Sequence, residues 1–313
     1  MADLVAYVIR KILLAIPVII LATFIVFLML YLTPGDPVIA IAPPHASVDE
    51  IQKLRVKYGF DQPFIVQYGK FLWRLMHGDL GTSVGRATLN LNVGDLIVQR
   101  LPRTLELMAI GLAISYSLGI PLGIFSARRQ NSWGDRSVMV FTLVAYAMPS
   151  FWLGILLMLL FAVYLGWLPA EGTVGGYGSI ALPAITLGVG NAALTTRMMR
   201  SSMLEVTRQD YITQLRSRGL PEREIIYKHA VKNAILPVIT VIGLDIGWFV
   251  GGAVVVETVF AWPGLGMLIT TSISNHDFPV VQGCILILAL FVVFGNLMAD
   301  ILYAYVDPRV RLG

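Results

Sequence analysis

The chain has 313 residues, 57% of them hydrophobic and 13% charged, with a formal net charge of +4. A soluble domain of that apolarity would lack the polar surface to cover itself, so the bilayer is the expected solvent. The charge is no nucleic-acid signal, because the basic residues flank apolar runs, and the single cysteine, Cys284, excludes an intrachain disulfide and argues against a cysteine-based metal site.

A helical span needs about 20 apolar residues to cross a ~30 Å hydrocarbon core. Behind Arg10-Lys11, Ile12–Leu32 offers 21 uncharged residues and reads as span one. No small-residue cleavage pattern follows it, so a retained anchor is expected rather than a signal peptide. The 72 residues Thr33–Thr104 are too polar for the bilayer. Within them Ser47-Val48-Asp49-Glu50 predicts a capping box before a short helix. Asp61-Gln62-Pro63 opens a second, amphipathic helix with Phe64, Tyr68, Phe71, Leu72 and Leu75 on one side. Span two is Leu105–Ala127. Span three lies in the uncharged run Ser137–Pro169, whose 33 residues are too few for two crossings and a turn. Spans four, five and six are Ile180–Thr196, Ile235–Val256 and Val280–Tyr303. The organisation is therefore 1–32 (N-terminus and span one), 33–104 (helical insertion), 105–306 (five-span core with a loop at 197–234) and a tail, 307–313.

Lys/Arg number two before span one, three between spans two and three, eight between spans four and five, and two after span six. The connections Ala170–Ser179 and Glu257–Pro279 have none. The positive-inside rule makes both termini and the loop cytoplasmic and the insertion extracytoplasmic.

The remaining polar interruption, Arg197–Pro237, holds eight of the 23 Lys/Arg. Leu204, Tyr211 and Leu215 share one helical face, and Ile225, Ile226, His229 and Ala230 another. Gly219-Leu220-Pro221 sits between them. A glycine suits the left-handed end of one helix and a proline the start of the next, so the stretch predicts helix–turn–helix. It is built for docking rather than catalysis.

Other motifs weigh less. Gly81-Thr82-Ser83-Val84-Gly85 fits the G-x-S-x-G of serine hydrolases, but a helix precedes it where that motif needs a strand, so a glycine-rich loop is expected. His77 and Asp79 nearby define no triad. No phosphate-cradling G-x-x-x-x-G-K-[ST] occurs, so any driving ATP binds elsewhere, and His45, His77, His229 and His276 are scattered, with no metal-site spacing. Gly243, Gly247 and Gly251 form a doubled G-x-x-x-G on span five, either a moving or subunit-contacting seam or plain packing. Among the intramembrane carboxylates, Glu106, Glu257 and Asp300 fall near span ends, where interfacial solvation is expected. Asp245 lies ~15 Å into span five, near the bilayer middle, about 200° around the helix from Gly243. It is the pathway candidate, against a hydrogen-bonded packing role.

The runs Ser201–Val206, Gln209-Asp210-Tyr211-Ile212, Gly219-Leu220 and His229–Pro237 resemble the EAA loop of membrane subunits of binding-protein-dependent ABC importers. Leu32-Thr33-Pro34-Gly35-Asp36-Pro37, Trp262-Pro263-Gly264-Leu265-Gly266, Asp277–Gln282 and Asp307-Pro308-Arg309 are similar to the dipeptide, oligopeptide and nickel permease branch. One departure is Leu215-Arg216-Ser217-Arg218-Gly219, where that branch usually has Ala-Arg-Ala-Lys-Gly. The resemblance implies an all-α, six-helix type I importer (MetI-like) permease in a bacterial inner membrane. It implies a heterodimer with a second permease, two ABC ATPase subunits that hold ATP and Mg, and an extracytoplasmic binding protein; this chain itself would bind no cofactor and catalyse nothing. Glu205, Asp210, Tyr211, Arg216, Arg218, Gly219, Leu220, Pro221, His229 and Asn233 would form the ATPase-coupling loop. Peptides are the expected cargo, with nickel chelates and glutathione open. An ion-coupled secondary transporter and an intramembrane hydrolase using Ser83 are rival readings.

Overall fold

The computed structural model describes residues 2–32, 38, 42, 45–85, 88–172 and 176–306. The motif residues Thr33-Pro34-Gly35-Asp36-Pro37 and Asp307-Pro308-Arg309 lie outside the described residues, as does the side chain of Asp300. The described chain is helical, with one isolated bridge between Thr82 and Asn92. In order it forms α1 (Ala2–Leu32), α2 (Val48–Tyr58), α3 (Phe64–Met76), α4 (Val93–Arg128), α5 (Trp133–Ala147) and α6 (Ser150–Leu157), the last continued by a π-helical Met158–Tyr164. After the short 3-10 turn Gly176–Ile180 come α7 (Ala181–Thr207) and α8 (Asp210–Ser217). The chain then runs through three short helical pieces, Glu222–Glu224, Ile225–Ala230 and Val231–Ala234, into α9 (Leu236–Val259), α10 (Leu265–Ser274) and α11 (Phe278–Val306).

Five of these helices are long and apolar enough to cross a membrane, and α5 with α6 would make a sixth. Span three, expected once within Ser137–Pro169, is a broken helix pair. α5 and α6 meet at 107°. The cause is Pro149, which denies the α conformation to the residue before it; Met148 sits at φ −78°, ψ 126°. Span four is also longer than expected. α7 continues to Thr207, so Arg197–Thr207 are its last turns rather than a separate loop.

The chain divides into two compact units. One comprises 1–9, 105–262 and 294–313. A close seam joins α4 to α7 along Gly111, Ser115, Gly119 and Gly123, four small residues spaced by four. A Cβ at Gly119 would lie 2.7 Å from Thr195 Cβ, and one at Gly123 would lie 2.6 Å from Met199 Cβ and 2.7 Å from the Thr196 carbonyl. Small residues let helix backbones approach this closely where no hydrophobic effect drives them together. Gly123→Val is expected to wedge α4 from α7 at a cost of about 1–3 kcal/mol, the range for overpacking. Thermal unfolding of the purified protein checks this, and an unchanged midpoint would remove the seam from the account.

The glycines of α9 behave differently from one another. Gly243 is buried against α11, where a Cβ would meet Ala299 Cβ at 2.2 Å, whereas a Cβ at Gly251 would meet nothing within 4 Å. Gly247 is half-buried. The three glycines are therefore not one intrachain seam. Glu257 also departs from expectation. It is fully buried rather than solvated, in the last turn of α9 ahead of a turn that also buries Phe260 and Trp262 and bonds Trp262 N–H to the Glu257 carbonyl at 2.9 Å.

The second unit comprises 10–104 and 263–293. α2 starts with the expected reciprocal box: Ser47 N–H donates to Glu50 Oε2 at 2.8 Å, and Glu50 N–H to Ser47 Oγ at 3.3 Å. α3 lies antiparallel along the last turns of α1 with the expected face inward. Phe64 meets Phe24 and Tyr31, Tyr68 meets Phe24, and Phe71 meets Phe27, with ring centroids 5.0–5.8 Å apart. The Gly81–Gly85 loop wraps a carboxylate. Ser83 Oγ donates to Asp277 Oδ2 at 2.5 Å, Val84 N–H to Oδ1 at 3.1 Å, and Thr88 Oγ1 lies 3.2 Å from Oδ2. Gly85 must lack a side chain, since a Cβ would come within 2.7 Å of Asp277 Oδ2. Ser83 is 1% exposed and committed to that carboxylate, so it is a structural hydroxyl. Cys284 is buried in α11.

Candidate functional site

The site is built on the polar stretch between α7 and α9. α7 ends where Arg208 and Gln209 N–H turn back to the Glu205 and Val206 carbonyls. Leu204 therefore does not share a helix with Tyr211 and Leu215, as its spacing implied; the break at Gln209 (ψ 150°) intervenes. α8 closes in a Schellman motif: Gly219 N–H bonds the Arg216 carbonyl at 2.9 Å and Leu220 N–H the Leu215 carbonyl at 3.4 Å. Gly219 has φ +77°, as the sequence predicts. Pro221 occupies the N-cap position rather than the first turn, with its carbonyl accepting from Glu224 and Ile225 N–H. The next helical run is π-helical over Ile225–Ala230, a wider turn that brings Ile225, Ile226 and Ala230 to the buried face.

One apolar cluster holds this stretch together. Ile212 of α8 and Ile225, Ile226, Ala230 and Ala234 pack with Met199, Met203 and Val206 of α7, Ile124 of α4 and Val238 of α9. Half-buried Tyr211, Leu215 and Leu220 close its edge, and Asn233 Nδ2 donates to the Tyr211 hydroxyl at 2.8 Å. The loop is therefore a rigid platform fused to the ends of three long helices. Its outward face carries Glu205, Asp210, Arg216, Arg218 and Pro221, all exposed, with His229 half-buried.

Two ion pairs stitch the platform's surface. Arg216 grips Glu222 across the turn at 2.8 Å and 3.1 Å, and Lys228 meets Glu224 at 2.8 Å. Arg216's hydrogen bond holds the Glu222 carboxyl below its usual range, and Lys228 does the same for Glu224. Such a contribution is present above the unfolded pKa and is lost as pH falls through the lowered folded value. The Arg216 and Glu222 side chains are 45% and 53% exposed, so solvent screening limits the pair to about 0–1 kcal/mol.

A buried pair anchors the platform more firmly, and sequence reading missed it. Asp135, in the first turn of α5, is 3% exposed. Its Oδ1 and Oδ2 receive Arg200 Nε and Nη2, each at 2.8 Å, Oδ2 also accepts Asn131 N–H at 2.9 Å, and Ser126 Oγ donates to Oδ1. The available signal was an acidic residue three positions after Ser132, whose side chain caps α5.

Beside the platform a cleft of about 510 Å³ runs between α7 and α9, from Glu205 at one end to Asp245. Asp245 is 9% exposed, and its Oδ2 receives the Tyr116 hydroxyl of α4 and, at 2.9 Å, Asn191 Nδ2 of α7. Asn191 Nδ2 also reaches Ser115 Oγ at 3.1 Å, so the carboxylate joins three helices exactly where the small-residue seam passes. Asp245 thus has packing partners and also lines the cleft. Among the described residues no group of three or more His, Cys, Asp or Glu could hold a metal ion.

Comparison with known proteins fits this architecture. Residues 119–312 match the model of the family described as binding-protein-dependent transport system inner membrane component, and residues 4–108 match that family's N-terminal region. A protein of Brucella abortus (strain 2308) named as a peptide transport system permease is 42% identical over 98% of this chain and 99% of its own length. The oligopeptide transport system permease AppB of Bacillus subtilis (strain 168) and the dipeptide transport system permease DppB of Alkalihalophilus pseudofirmus are each 40% identical, over 98% of this chain and 99% of theirs. In fold, a chain of the inward-facing MetNI methionine ABC transporter superposes with a TM-score of 0.58 at 19% identity, covering 68% of this chain and 96% of its own. The protein is a multi-pass membrane permease rather than an ATPase, and it belongs to the family of inner membrane components of binding-protein-dependent ABC importers.

Proposed function

We propose that the chain conducts peptides through the membrane as one of two permease subunits, driven by two ABC ATPases that hold ATP and Mg and supplied by an extracytoplasmic binding protein. Peptide cargo is supported by the names of the relatives. In this reading both termini and the loop 197–234 are cytoplasmic, the insertion 33–104 faces outside, and the exposed platform residues meet an ATPase. The carrying observation is the apolar cluster that fuses the loop to α4, α7 and α9. A push on the platform then moves three long helices together, including the wall of the cleft, rather than bending a flexible loop. The exposed backbone at Gly251 supports a contact with the second permease.

Asp245 in the cleft wall gives the pathway a negative charge suited to a peptide's amino terminus. Asp245→Asn separates this from packing, because an asparagine carbonyl can still accept from Tyr116 and Asn191. The variant is expected to co-purify with the ATPases and second permease and to keep its ATPase rate, while uptake of peptides with a free amino terminus falls on the order of tenfold, the loss of one charged hydrogen bond. Unchanged uptake would remove Asp245 from the pathway. Failure of the wild-type chain to co-purify with ATPase subunits would remove the whole reading.

A further inference from the structure

The second unit contains a cavity of about 390 Å³ between the outer end of α1, the helices α2 and α3 and the start of α11. Among the described residues the cations Arg55, Lys70 and Arg74 line it and no carboxylate does, and Arg55 has an interaction of its own. Lys70 and Arg74 are exposed, stand one turn apart on α3, and form no ion pair among the described residues. The other walls are aromatic: Phe27, Tyr31, Phe60 and Phe71. Like charges held together over an apolar floor repel one another unless an anion joins them.

A cationic mouth beside an exposed apolar helix is the complement of an anionic amphiphile. The surroundings favour a lipid over a soluble anion. α1 shows apolar side chains from Ile9 onward, with Leu21 58% and Met29 66% exposed. α3 also turns Ile65, Trp73 and Met76 outward beside Lys70 and Arg74, at 63–73% exposure for the three apolar residues. Such a helix lies at an acyl boundary with its basic residues reaching for the headgroups. Gln62, which lines the cavity, keeps a buried Oε1 without a hydrogen-bond partner, an acceptor that a headgroup hydroxyl would satisfy.

We infer that this cavity is a binding site for an anionic glycerophospholipid, with the phosphate held by Lys70 and Arg74 and the acyl chains along the exposed apolar face of α1. Retained lipid is measured by native mass spectrometry on the full chain purified in mild detergent and supplied with phosphatidylglycerol and phosphatidylcholine of matched chains. The wild type is expected to retain phosphatidylglycerol preferentially. In Lys70→Gln/Arg74→Gln that retention falls about 30-fold, since each basic residue near an anionic lipid is worth about 1 kcal/mol. The charge-conserving Lys70→Arg/Arg74→Lys variant keeps it, which separates lost charge from lost structure. Equal retention of both lipids by the wild type, or an unaltered preference in the glutamine variant, would overturn the site. Displacement of the lipid by equimolar glycerol phosphate would show a soluble-anion site and overturn the lipid assignment, as would preferential retention of an acidic peptide.

Discussion

Replacing Arg200 with leucine is expected to destabilise the protein by about 3–5 kcal/mol, the range for breaking a buried pair from one side. The guanidinium supplies two of the bonds to Asp135, whose side chain is 4% exposed. Without it the carboxylate keeps only Ser126 and Asn131 as donors. The measurements are the unfolding midpoint in detergent and the amount of folded protein in the membrane. Asp135→Asn combined with Arg200→Leu removes the stranded charge and is expected to recover part of the loss. If the single and double variants are equally unstable, the damage comes from lost packing rather than from unpaired charge.

Gly219→Val is the second large effect, and it falls on uptake. A Cβ at Gly219 meets nothing within 4 Å, so bulk is no obstacle there; φ +77° is. A β-branched residue strongly resists that region. The valine variant must open the Schellman turn, releasing the bonds to Arg216 and Leu215 and the alignment of α8 with the helical run after it. The expected result is near-complete loss of ATP-driven uptake in vesicles with protein still in the membrane. Gly219→Asn, which tolerates positive φ, is expected to retain most activity. Normal uptake by the valine variant at normal expression would refute a coupling role for the turn.

The features that sequence made legible are local ones. Ser47 and Glu50 are three residues apart, and Gly219 and Pro221 two, so their geometry follows from backbone rules within a turn. The aromatic face of α3 was legible because helix period alone lines it up. What escaped was set by distant partners. Ser83 and Asp277 are 194 residues apart, and no pattern in either segment announces the other. Arg200 read as one of eight loop cations because the continuation of α7 to Thr207 was not visible as hydropathy. The small-residue seam on α4 was hidden by Ser115 among its glycines, while the glycine-only repeat on α9 drew notice and proved discontinuous. Asp245's place in the middle of α9 was readable by counting, but its two donors come from other helices.

The bend at Pro149 raises a question of parity that the ion pair answers. A pair of helices meeting at 107° can either cross a bilayer once or dip in and return on the side it entered. α7 then crosses once more before reaching Arg200. Had α5 and α6 returned, Arg200 would finish a full hydrocarbon thickness, about 30 Å, from the turn where α5 begins. It lies instead 2.8 Å from Asp135, at that very turn, and Arg128 just before it donates to the Tyr227 hydroxyl at 3.0 Å. The number of crossings between the two partners is therefore even. The broken pair counts as one passage, the sixth beside the five described helices long and apolar enough to cross.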